Sequence, residues 1–162
     1  MTYKFTLFFT KEYPMSMLSY KDYMRHIVYG LRRAGVKFVF SQGYHPRPKV
    51  YSVMSLPLGI VSCIEPISIE VYNESLDGLV LSDKLPRGID YLGYIDDYIE
   101  EYIAVYRHKY VYFLKRHPKE GVGRYIKDKN IPPYEIIKED IIIEGYGSIR
   151  YYLGGDGNAC GY

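Results

Sequence analysis

The chain has 162 residues, 48% of them hydrophobic and 25% charged, which is long enough for one domain with its own core or for two small packed halves. Its net charge of +2 hides blocks: residues 1–60 carry +7, 61–101 carry −8, 102–138 carry +6 and 139–162 carry −3, implying basic and acidic faces or elements that neutralise each other on packing. Cys63 and Cys160 lie too far apart and too isolated for a disulfide framework or a zinc pattern, and no apolar run suits a signal peptide or a spanning helix, so a cytoplasmic address is expected and no membrane.

Tyr3, Phe5, Leu7 and Phe9 alternate with polar residues, the period of a strand with one face on a core. Ser19 precedes an apolar stripe at Met24, Ile27, Val28, Leu31 and Ala34 that ends at Gly35, which predicts a capped amphipathic helix. Its other face carries Lys21, Asp22, Arg25, Arg32 and Arg33, a solvated surface or a ligand-facing one. Residues 36–42 and 50–56 read as two strands of a hairpin, and Ile67, Ile69 and Val71 as a further strand. Residues 74–85 suit a short helix weakened by Gly78, and 89–95 another strand.

From Tyr102 the pattern restarts with a long β-like run over residues 102–115, in which both faces are partly buried or a bulge shifts the parity near Arg107. A helical turn or two follows within 118–130. Residues 136–144 and 148–153 then read as strands joined at Gly145-Tyr146-Gly147, before a turn-rich tail. The order of elements predicts an α+β fold: a ferredoxin-like, split βαβ antiparallel sheet with helices on one side over residues 1–101. A strand-rich part follows over 102–162, packed on the first and readable as a degenerate second ferredoxin-like half.

The most informative stretch runs from Phe40 to Gly59. Gly43 can adopt positive φ, while Pro46 and Pro48 fix their own φ and extend His45 and Arg47, so a stiff loop is expected. It gathers Gln42, Tyr44, His45, Arg47 and Lys49, and with Arg25, Arg32 and Arg33 it forms the best anion-binding candidate. Interleaved tyrosines add stacking faces, the combination that single-stranded RNA binders use. The abundance of tyrosine, 21 residues against no tryptophan, also fits half-buried sheet faces. His26, His45, His108 and His117 are scattered singly, so no metal site is expected, and the acidic run Asp96, Asp97, Glu100, Glu101 reads as a solvated segment.

Residues 18–71 resemble a bacterial domain of unknown function that is linked to radical SAM proteins. The likeness rests on a helix ending in Arg32-Arg33-Ala34-Gly35, the loop from Ser41 to Pro48, and the turn from Pro57 to Gly59, with Gly43, Pro46, Pro48, Pro57 and Gly59 as its structural positions. Tyr20 stands where the family usually has histidine, and His45 where asparagine is commoner. The resemblance implies partnership with a radical SAM protein. The chain lacks the cysteine triad that holds an iron–sulfur cluster, so no cofactor is expected here, and cluster and SAM would sit in the partner.

Three functions follow as alternatives. The first is a non-catalytic accessory module that helps recognise the partner's substrate, with RNA as the candidate ligand. The second is an RNA-processing enzyme like the ferredoxin-like RAMP proteins, with His45 and Tyr20 or Tyr44 as acid and base. The third is a protein–protein adaptor.

Overall fold

A computed structural model describes residues 1–154 of the chain. The first alternating segment forms β1 (Tyr3–Lys11), with Phe5, Leu7 and Phe9 in one hydrophobic cluster and Phe8 in another, so both faces of the strand are covered. The helix α1 (Tyr20–Arg33) starts as the capping pattern predicts: Ser19 Oγ accepts the Asp22 N–H at 3.2 Å. Gly35, at φ +97°, ends it. Ile27 and Leu31 are fully buried against the first cluster, each contributing about 2 kcal/mol of hydrophobic stabilisation.

Residues 36–51 fold back as a narrow hairpin in place of two full strands. Only β2 (Val50–Tyr51) pairs as a strand, with β3 (Val61–Val71), while Phe38 and Phe40 make single bridges to Val71 and Pro48. Pro46 and Pro48 have no N–H to donate, which keeps the ladder short. β3 runs longer than its clear alternation suggests and includes Glu65 and Pro66. The helix expected over 74–85 is absent: the segment is a series of turns, with Gly78 at φ +80° inside it. β4 (Tyr91–Ile95) then pairs antiparallel with the free edge of β1.

In the second part the long run is a hairpin, β5 (Tyr102–His108) and β6 (Val111–His117), turning at Lys109 with φ 56°, and the register of β5 against its other neighbour shifts between Val105 and Tyr106, beside Arg107 where a bulge was expected. A short helix α2 (Val122–Asp128) follows, then β7 (Ile136–Ile143) and β8 (Gly147–Ser148). The strand expected at 148–153 is the helix α3 (Ile149–Tyr152), whose cap is Ser148 Oγ accepting the Tyr151 N–H. The tail beyond Gly154 lies outside the described residues, as does Cys160, on which the expectation of no disulfide turns.

The result is a mixed α+β structure with a curled eight-stranded sheet in the order β4-β1-β3-β7-β5-β6, β2 lying on β3 and β8 on β7. Within residues 1–101 every strand pairing is antiparallel, and β7 of the second part then joins β3 in parallel through Val61–Ile137 and Ser62–Lys138. The helices of the two parts pack on different clusters: α1 on the one around Leu7 and Ile67, and Val122 and Ile126 of α2 on the one around Phe8 and Ile64. On the same edge of β3, β7 pairs at residues 61–62 and β2 at 68–69, and the sheet splits between them at Glu65 and Pro66.

Candidate functional site

The base of the hairpin loop is closed from within. Ser41 N–H donates to the Arg47 carbonyl at 2.8 Å, Arg47 N–H donates to Ser41 Oγ at 3.0 Å, and Lys49 N–H donates to the Val39 carbonyl at 2.8 Å. Gly43 takes φ +130°, as the expected corner requires. Gln42, Tyr44, His45 and Arg47 all face solvent, Tyr44 completely, and none of their side chains has a hydrogen bond or ion pair among the described residues.

The predicted cations divide into two groups. Arg25 is 3.4 Å from Asp22, and Lys49 Nζ is 3.6 Å from Glu70 Oε2, so both already face carboxylates. Arg32 instead lays its guanidinium 5.8 Å from the centre of the Phe40 ring, which brings the end of α1 to the root of the hairpin. Beside it Arg33, Arg32 and Tyr29 line an open cleft of about 450 Å³. Pro57 and Gly59 serve elsewhere: they form the turn before β3, with Gly59 at φ +93° and its N–H on the Ser16 carbonyl at 2.9 Å.

Tyr20 belongs to a different neighbourhood. Its hydroxyl accepts from Ser52 Oγ at 3.2 Å, and burial and then the Glu65 carboxylate push its phenol well above the ordinary value. Around Glu65, at the split in the sheet, lies a buried polar centre that the sequence reading missed. Lys138 Nζ reaches Glu65 Oε2 at 2.5 Å and the Tyr102 hydroxyl at 2.6 Å. Glu65 Oε1 has no hydrogen-bond partner among the described residues, while Lys11, also buried, donates to the Leu18 carbonyl at 2.9 Å. Burial lowers the Lys11 pKa and Glu65 opposes that shift. The available signal was the lone charge inside the apolar run Ile64-Glu65-Pro66-Ile67, whereas Lys138, followed by Glu139 and Asp140, gave none.

His117 is the one histidine drawn into the core. Its Nδ1 must donate to the Glu120 carbonyl at 2.8 Å, so Nε2 accepts from the Tyr106 hydroxyl at 2.7 Å and the ring is neutral. Burial, helped by Lys138, pushes its pKa down to about 4. The acidic run is loop: Asp97 accepts from the Tyr146 hydroxyl, and Glu100, Glu101 and Glu144 line a cleft of about 570 Å³ with Arg116. No cluster of three metal-ligating side chains occurs among the described residues. Nor is any of their helices long and apolar enough to cross a membrane.

Fold and surface together define an α+β protein with a curled mixed sheet and a projecting polar hairpin beside the arginine-bearing end of its main helix. The chain belongs to a family described as an uncharacterized protein conserved in bacteria (DUF2344), whose model matches residues 4–115. That span takes in β1 to β5 and most of β6, well beyond the stretch that carries the sequence resemblance, and the family's description names no radical SAM partner. Neither a curated protein nor a solved structure gives a significant match.

Proposed function

We propose that this chain is a non-catalytic binding module that holds single-stranded RNA at the hairpin loop and the end of α1. The observation that carries this reading is the set of exposed cations without carboxylate partners among the described residues, Arg47 on the loop and Arg32 at its root, with Tyr44 fully exposed just ahead of Pro46 and Pro48. A flexible chain of phosphates and planar bases matches such a surface: guanidinium groups neutralise phosphate, and an unpartnered ring offers a stacking face. The strand order β4-β1-β3-β2 supports reading the N-terminal part as a split βαβ unit whose second crossover has lost its helix. The radical SAM enzyme that the sequence resemblance implies would be the chain served, carrying cluster and SAM itself.

The acid–base reading draws no support from the geometry, because His45 has no orienting partner among the described residues and Tyr20 is committed to Ser52. Filter binding with an oligouridylate tests the proposal. The log-log salt slope of wild type should exceed that of Arg47→Ala by about 0.7, the value for one phosphate on a single strand. Tyr44→Ala should weaken binding by about 1–3 kcal/mol, the range for one stacked base. Retention that ignores salt and both substitutions removes the RNA reading and leaves the adaptor reading.

A further inference from the structure

A second cationic surface lies on the other part of the molecule, where β6 runs into α2. Lys115, Lys119, Arg124 and Lys129 line an open cleft of about 430 Å³, with Glu120 and Asp128 as the carboxylates on its rim. None of the four cations is ion-paired among the described residues. Glu120 Oε1 accepts the Arg116 N–H at 3.3 Å, so one rim carboxylate is turned toward the backbone.

The cleft is positioned by aromatic packing. Tyr125 stacks on Phe113 with ring centres 4.0 Å apart, and the ammonium groups of Lys115 and Lys129 lie 5.1 and 5.7 Å from the Tyr125 centre. Phe113 in turn stacks on the buried Tyr106, so the cations stand on a column of rings fixed in the core. That arrangement leaves little of Tyr125 open to a base, in contrast with the bare ring of Tyr44.

We infer that the β6–α2 cleft is a second anion site that holds backbone phosphates of single-stranded nucleic acid without reading its bases. The inference rests on the RNA reading of the hairpin for its choice of ligand, and it assigns the two surfaces different work. The hairpin stacks and positions, whereas the cleft neutralises charge. Affinity at the cleft is therefore indifferent to base composition and sensitive to salt.

Fluorescence anisotropy with labelled oligouridylate and oligoadenylate, titrated at several salt concentrations, separates the two. Charge reversal in Lys119→Glu/Arg124→Glu, both exposed positions, should lower the salt slope by about 1.4. That corresponds to about 25-fold weaker binding at 0.1 M salt, equally for both oligonucleotides. Circular dichroism of the variant should match wild type. A variant that binds with wild-type slope and affinity overturns the cleft, even if Arg47→Ala is impaired. If Arg47→Ala binds normally and the double variant does not, the cleft stands and the hairpin reading falls. Labelled oligoglutamate bound as tightly as RNA would overturn the assignment to nucleic acid.

Discussion

Replacing Lys138 with methionine keeps most of its volume and removes the ammonium that donates to Glu65 Oε2 at 2.5 Å. Both residues are at most 1% exposed, so the deletion strands a buried carboxylate whose Oε1 already has no partner among the described residues. Breaking a buried ion pair from one side costs about 3–5 kcal/mol, and the lower end applies because Lys11 still exerts its field on Glu65. For a chain of this size, a loss of about 3 kcal/mol lowers Tm by about 6–12 °C. Removing both charges, in Glu65→Leu/Lys138→Met, should recover most of that loss, since the polar pair and a well-packed apolar pair of similar volume are close in energy. Urea unfolding followed by far-UV circular dichroism measures all three proteins, the absence of tryptophan ruling out its fluorescence. A single substitution costing under about 1 kcal/mol, or a double variant no better than the single, would refute the reasoning.

His117 should make stability pH-dependent in acid. Its folded pKa of about 4 lies below the unfolded value of 6.5, so the unfolded chain takes up the proton first. Stability is whole above pH 6.5 and falls by about 3 kcal/mol as the pH drops to 4; His117→Gln should flatten that limb of the curve, and an unchanged slope would contradict the neutral buried ring. Gly88→Ala and Gly35→Ala both force alanine into positive φ, at +99° and +97°, but only at Gly88 would the new Cβ meet an atom, the Glu12 carbonyl oxygen at 2.5 Å. The Gly88 variant should therefore be less stable than the Gly35 variant by about 1–3 kcal/mol in urea midpoints, and equal losses would show that the backbone there gives way.

Local pattern alone settled β1, α1 and the hairpin corner. Alternation at Tyr3–Phe9, the Ser19 cap and Gly35 stop, and the Gly43–Pro48 turn each act over a few residues, so each is written in adjacent side chains. The exposed cations and tyrosine of the candidate site were legible for the same reason, since a surface group keeps its identity whatever packs beneath it. What only the tertiary structure decided depends on partners distant in sequence. Residues 102–115 became a hairpin because β5 pairs with β7 as well as with β6, and residues 74–85 stayed in turns. Glu65 and Lys138, 73 positions apart, meet where the sheet divides between β2 and β7. Likewise Lys115 shares a cleft with Lys129 because Phe113 and Tyr125 stack across the turn between strand and helix. A lone charge in an apolar run announces that it needs a partner, but which residue supplies it is fixed by strand order, a long-range choice that no local period encodes.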